Sequence, residues 1–124
     1  QTRETFRTEG RAYVTSPLTG RRHYADDGKG YVLLNYLAQG TAAEVLKIKS
    51  LEIEAAGIDY VVLDVHDEII ADVPISEARE VSHIIERVMN DRDLFSIPLT
   101  AESEFGYRWG EKGNVTLDQL EAAA

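Results

Sequence analysis

The sequence contains no cysteine, which excludes disulfide bridges and thiolate metal centres. It has one methionine, one tryptophan and three prolines among 124 residues. No apolar run approaches the ~20 residues a helix needs to cross a bilayer. The polar opening "QTRETFRTEG" has no signal-peptide pattern. Internal repeats and low-complexity segments are missing as well. What remains is 44% apolar and 28% charged, the composition of a soluble, globular chain able to bury its own core. The length corresponds to one domain. The chain begins on Gln1, which fits a trimmed chain or a piece of a longer one.

Positive charge is scarce overall but uneven. The net charge is −9 and the pI about 4.7, which argues against nucleic acid as a partner. Residues 1–50, however, hold eight Lys/Arg against five Asp/Glu, and residues 51–124 hold five against seventeen. Arg3, Arg7, Arg11, Arg21, Arg22, Lys29, Lys47 and Lys49 are available for phosphate contacts. A solvated basic face explains the same residues.

Periodicity supplies a coarse layout. Residues 1–9 read as the end of a polar helix. Residues 12–15 and 21–24 read as a hairpin around the Pro- and Gly-containing turn 16–20. A long helix is expected over residues 31–56, with Leu34, Leu37, Ala38, Thr41, Ala42, Val45 and Ile48 on its inner face. Gly57 stands at its stop. Gly40, inside the pattern, costs up to about 1 kcal/mol relative to Ala and signals close approach of another backbone or a ligand. Residues 60–73 read as strand, tight turn, strand. Ser76 is placed to cap a second helix whose buried face is Ala78, Val81, Ile85, Val88 and Met89. Residues 97–107 alternate with a period of two, as a strand does, and a short helix is expected near 117–120. The segregated order predicts an α+β fold, an antiparallel sheet with helices on one face.

The stretch "VVLDVHDEIIADVP" places His66, Asp67 and Glu68 between two apolar runs. Adjacent carboxylates at a tight turn are hard oxygen donors, suited to Mg²⁺, which takes one or two protein carboxylates and completes its shell with water and phosphate. A two-metal site needs a second carboxylate from another strand. Asp26, Asp27 and Asp64 are the candidates within the chain. A charged β-turn, with Asp bonding the local backbone, accounts for the same residues.

Four segments together narrow the choice. "TEGRAYVTSPLTGRRHY", "LNYLAQGTAAEVLK", "VHDE" between apolar runs and "IPLTAESEFGYRWGE" resemble, in order and approximate spacing, the C-terminal palm segment of the family A DNA polymerases, the bacterial polymerase I type. The likeness covers nearly the whole chain. It implies a division into residues 1–30, a helix end and hairpin leading from the fingers, and residues 31–124, the C-terminal palm with the VHDE hairpin. Asp67 would be the palm's metal-binding carboxylate, Glu68 its less essential neighbour, and His66 a contact to the primer terminus. Asn35 and Gln39 would face the primer–template minor groove, where acceptors common to all base pairs report geometry rather than sequence. Arg21 and Arg22 would lie near the DNA backbone. The connection from Tyr24 to Gln39 is shorter than in typical bacterial members, and Tyr31 stands where a basic residue is common.

The resemblance implies a DNA-directed DNA polymerase, a nucleotidyltransferase using two Mg²⁺ ions, with primer–template DNA and dNTP as partners. No membrane is implied, and the location would be the cytoplasm of a bacterial or phage-infected cell. The divergence is compatible with a phage source. The family's first motif, with its metal-binding Asp, and the nucleotide-binding fingers helix are not among these residues. The chain is therefore expected to act with the remaining N-terminal part, as a fragment or a split-gene subunit, and to be inactive alone. The alternatives are a non-catalytic DNA-binding or accessory module with this fold, and an unrelated acidic interaction domain.

Overall fold

The computed structural model describes residues 11–26, 28–110 and 115–123; the polar helix expected over residues 1–9 lies outside them. The elements are β1 (Ala12–Thr15), β2 (Arg22–Ala25), α1 (Leu33–Ala55), β3 (Val61–Val65), β4 (Glu68–Ala71), α2 (Ala78–Met89) and α3 (Leu117–Ala122). The class is α+β, as expected, with the strands forming two separate two-stranded antiparallel ribbons, β1–β2 and β3–β4. The chain divides into two units. One holds residues up to Ile48 together with His66–Glu68, and the other holds Lys49–Val65 and everything from Ile69 onward.

In the first unit, β1 and β2 pair with Ala12 opposite Ala25 and Thr15 opposite Arg22. Small side chains at that first pair let Leu33, at the start of α1, seat against both, with Val14 and Val32 closing the cluster. Tyr13 and Tyr24 face each other across the ribbon at 5.5 Å between ring centroids. The turn from Ser16 to Arg21 is closed by Ser16 N–H donating to Arg21 O at 2.8 Å and Gly20 N–H donating to Ser16 O at 3.1 Å.

The second unit is built around Ile53, Ile58 and Val81. Helix α1 ends in a Schellman motif. Gly57 adopts a positive φ of 87°, Gly57 N–H donates to Glu54 O at 2.9 Å, and Ile58 N–H donates to Ile53 O at 3.2 Å. The apolar contact that accompanies this motif is made here by Ile53 and Ile58. Helix α2 buries the expected face: Ala78 and Val81 are buried, and Ile85, Val88 and Met89 pack on the cluster or stand half-buried. Short α3 starts on a capping box, Thr116 with Gln119. Its Asp118 and Glu121 accept a fork from Arg79 of α2, with N···O distances of 2.7–2.8 Å.

Three sequence expectations give way. Ser76 does not cap α2: it lies inside a 3₁₀ turn, Ile75–Glu77, and Glu77 occupies the cap position without a side-chain bond to the helix. Glu77 instead accepts from Tyr60 Oη at 2.7 Å. Residues 97–107 do not form a strand, apart from a bridge between Phe105 and Val115. The alternation is real, with Leu99, Ala101, Ser103 and Phe105 turned inward, but the partner is a set of side chains. Asn90 exchanges two bonds of 3.0 Å with the backbone of Ala101, and Glu86 accepts from Ser103 N–H at 2.8 Å. The inner face of α1 holds only in part. Leu37, Thr41, Val45 and Ile48 are half-buried, but Leu34 is 75% exposed and Ala38 and Ala42 are open. The fully buried residues lie on two sides of the helix, Leu33 and Glu44 on one and Lys49 and Ile53 nearly opposite, and two of the four are charged, which apolar spacing does not reveal.

Candidate catalytic turn and nucleic-acid interface

A two-residue turn, His66–Asp67, joins β3 to β4. His66 takes a positive φ of 54° and is the one non-glycine among the described residues to do so. Positive φ at the first central position belongs to the primed hairpin turns, whose twist matches that of the strands and which favour glycine there. An imidazole in this place costs roughly 1–2 kcal/mol of backbone strain. His66 and Asp67 are exposed and Glu68, the first residue of β4, is half-buried. The flanking strands are less covered than their composition suggests. Val62 is 63% and Leu63 42% exposed, while Val61 packs on the second core and Val65 is half-buried.

The turn groups with the first unit, which also carries Asn35, Gln39, Arg21 and Arg22. His66, Asp67, Glu68, Asn35, Gln39, Arg21 and Arg22 therefore fall in one unit, whereas Asp64 and Lys49 belong to the other. Asn35 and Gln39 are exposed on α1 one helical turn apart. Arg21 is exposed at the end of the β1–β2 turn. Arg22 opens β2, with its guanidinium carbon 4.6 Å from the centre of the Tyr13 ring, a cation–π distance.

The carboxylates considered as second ligands are otherwise engaged or undescribed. The one Ser50 hydroxyl proton is shared between the two carboxylate oxygens of Asp64, with Oγ 3.2 and 3.1 Å from them. Asp26 lies 3.8 Å from Lys29. Asp27 lies outside the described residues. Among the described residues no three His, Asp or Glu side chains cluster to hold a metal ion. The oxygen donors of Asp67 and Glu68 suit Mg²⁺ in kind, and one hairpin supplies the one or two carboxylates that Mg²⁺ takes from protein.

A buried polar group beneath this surface escaped the sequence reading. Glu44 of α1 is buried and accepts from Ser16 Oγ. That bond, opposed by burial and helped by Thr19, His23 and Arg21, holds its carboxyl below the usual range. Gly40, one turn earlier, lies directly under the His23 imidazole, so close that a Cβ there would collide with the ring. The mid-helix glycine was the available signal, but the approaching group is neither the backbone nor the ligand expected there: it is a side chain from β2, the His23 ring.

A palm-like α+β structure presenting an acidic hairpin turn is the class defined by these features. The comparisons with known proteins specify it. Residues 2–111 match DNA polymerase family A, and the chain belongs to that family. DNA polymerase I of Streptococcus pneumoniae is 34% identical over 83 residues, covering 63% of this chain and 10% of that protein. DNA polymerase I of Borreliella burgdorferi is 34% identical over 89 residues, 64% of this chain and 9% of that protein. The thermostable DNA polymerase I of Thermus filiformis is 32% identical over 125 residues, 90% of this chain and 14% of that protein. The chain thus spans about a tenth of the length of the curated relatives it matches. No solved structure matches it.

Proposed function

We propose that the chain is the C-terminal palm portion of a DNA-directed DNA polymerase that, with the remaining part of the enzyme, adds nucleotides to a primer 3′-hydroxyl. The observation that carries this reading is the His66–Asp67 turn: a non-glycine residue in a left-handed conformation, adjoining two carboxylates, in the unit that also presents Asn35 and Gln39. Strain of this kind persists where a site benefits from it.

In this reading Asp67, with Glu68 beside it, holds divalent cations jointly with a carboxylate from outside the chain. Two Mg²⁺ ions, when bound, supply Lewis-acid activation of the 3′-hydroxyl and charge stabilisation on departing pyrophosphate. The strands β3 and β4 fix the direction of the Asp67 carboxylate. His66 stands beside it to meet the primer terminus. Asn35 and Gln39 donate to minor-groove acceptors of the primer–template, and Arg21 and Arg22 neutralise backbone phosphates. The exposed apolar side chains of β3, Val62 on one face of the ribbon and Leu63 on the other, are read as surface that further palm segments cover.

The test is reconstitution. The purified chain alone is expected not to extend a primer. Addition of a polypeptide carrying the N-terminal part of the polymerase is expected to restore Mg²⁺-dependent extension. Extension by the chain alone would overturn the division of labour. Stable assembly without extension would favour a non-catalytic module.

A further inference from the structure

Ser16, His23, Gly40 and Glu44 form a polar joint between the β1–β2 hairpin and α1. Ser16 is its hub. Its hydroxyl donates to Glu44 and accepts from Leu18 N–H at 3.2 Å, while its backbone N–H donates to Arg21 O at 2.8 Å. Glu44 is therefore linked through one residue to the backbone that carries Arg21. On the other side, the His23 ring occupies the space left by the missing side chain of Gly40, the neighbour of Gln39. His23 Nε2 and Glu44 Oε1 lie 3.9 Å apart, within charge-pair range but beyond a hydrogen bond, both shielded from solvent and without a hydrogen-bond partner; Thr41 Oγ1, on the same helical face, is likewise unpartnered. The groups facing Glu44 are Ser16 and Thr19 from the turn and His23 from β2, and Arg21 adds a smaller effect of fixed positive charge. A hydrophobic contact would join hairpin to helix without leaving buried polar atoms exposed to this cost. What the polar joint adds is direction, because hydrogen bonds and ion pairs fix orientation where apolar packing tolerates sliding.

We propose that His23 and Glu44 are a positioning pair that holds the Arg21–Arg22 end of the hairpin in register with Asn35 and Gln39 on α1. This rests on the reading of those four residues as a DNA-contacting surface. The pair touches no nucleotide itself; it sets the spacing between the phosphate-directed arginines and the groove-directed amides.

The experiment uses the 124-residue chain and a fluorescent primer–template duplex, with affinity read by anisotropy at low salt. His23→Phe keeps a flat ring over Gly40 but has no polar atom. Glu44→Gln still accepts from Ser16 but has no charge. His23→Gln keeps a donor near the position of Nε2. Each of the first two is expected to weaken binding about three- to tenfold, and the double variant no more than either single. His23→Gln is expected to recover most of the loss. In ¹H–¹⁵N spectra the amides of Arg21, Arg22, Asn35 and Gln39 should move together in both single variants. Unchanged affinity in folded single variants, or losses that multiply in the double, would overturn the proposal. If the wild-type chain binds no duplex, the DNA-surface reading fails and the spectra decide the pair. Joint movement of the four amides sustains it, and shifts confined to the substituted residue's neighbours reject it. Should His23→Phe not fold, Glu44→Gln and His23→Gln decide the question by the same two readouts.

Discussion

The Lys49 ammonium, on a residue only 2% exposed, donates to Asp91 Oδ2 at 2.6 Å and to Glu52 at 2.8 Å. This contact ties the C-terminal third of α1 to the segment after α2. Burial draws the Lys49 ammonium toward neutrality, but the bonds to Asp91 and Glu52 outweigh it and raise its pKa. Lys49→Met should therefore destabilise the chain by about 1–3 kcal/mol, less than for a fully buried pair because Asp91 keeps some solvent contact. A urea denaturation midpoint checks this.

The same contact sets an acid limit. The bond from Lys49, with further bonds from the backbone N–H groups of Asp93 and Leu94, brings the Asp91 carboxyl down to about 2. A carboxyl lowered on folding contributes stability that is fully present above its unfolded value and is lost as pH falls through the folded one. The window for Asp91 runs from about pH 4 down to about 2. Glu44, also lowered, acts in the same direction. Thermal midpoints should fall steeply across this window, and the fall should be shallower in Asp91→Asn. Equal pH dependence in the two proteins would show that Asp91 is not responsible.

Gly40→Ala separates propensity from packing. Helix propensity alone predicts a gain of up to about 1 kcal/mol. The collision of the new Cβ with the His23 ring predicts a loss of about 1–3 kcal/mol, the usual range for overpacking. The ring is short and stiff and sits on a strand, so the loss should win. His23→Ala combined with Gly40→Ala should recover part of the stability, which a double-mutant cycle in urea would register.

Legibility from sequence depends here on where polar groups sit. The α2 face from Ala78 to Met89 and the stop at Gly57 can be read directly, because apolar spacing and a left-handed glycine are local signals. The buried positions of α1 can be read only in part: Leu37, Thr41, Val45 and Ile48 are half-buried as their spacing suggests, but Glu44 and Lys49 are buried by partners 28 and 42 residues away, Ser16 and Asp91. The alternation over residues 97–107 is visible in the sequence, but the strand it suggests does not form. Asn90 supplies both a donor and an acceptor to Ala101, doing with one side-chain amide what a neighbouring strand does with its backbone. The triplet His66–Glu68 stands out in the sequence, but the left-handed backbone of His66 is visible only in three dimensions.

His66→Gly tests whether that backbone conformation is retained for function. Glycine relieves the strain at φ 54° but loses more chain entropy on folding, so stability should stay level or rise by up to about 1 kcal/mol. In the assembled polymerase the same change should slow nucleotide incorporation. A clear loss of stability would mean that the imidazole holds the hairpin together.

The most direct test of the polymerase reading is Asp67→Asn in the assembled enzyme, measured by single-turnover nucleotide incorporation alongside the denaturation midpoint. Asn keeps the size and turn preference of Asp67 and removes the charge that, in the proposed reading, would hold a divalent cation. Because Asp67 is exposed, folding should barely change. Incorporation should fall by about 10³-fold or more, the equivalent of about 4 kcal/mol in the barrier. Glu68→Gln should lose less, and Asn35→Ala and Gln39→Ala should weaken primer–template use without altering Mg²⁺ dependence. Near-normal incorporation by Asp67→Asn, with an unchanged midpoint, would contradict the account and reduce the triplet to an acidic turn.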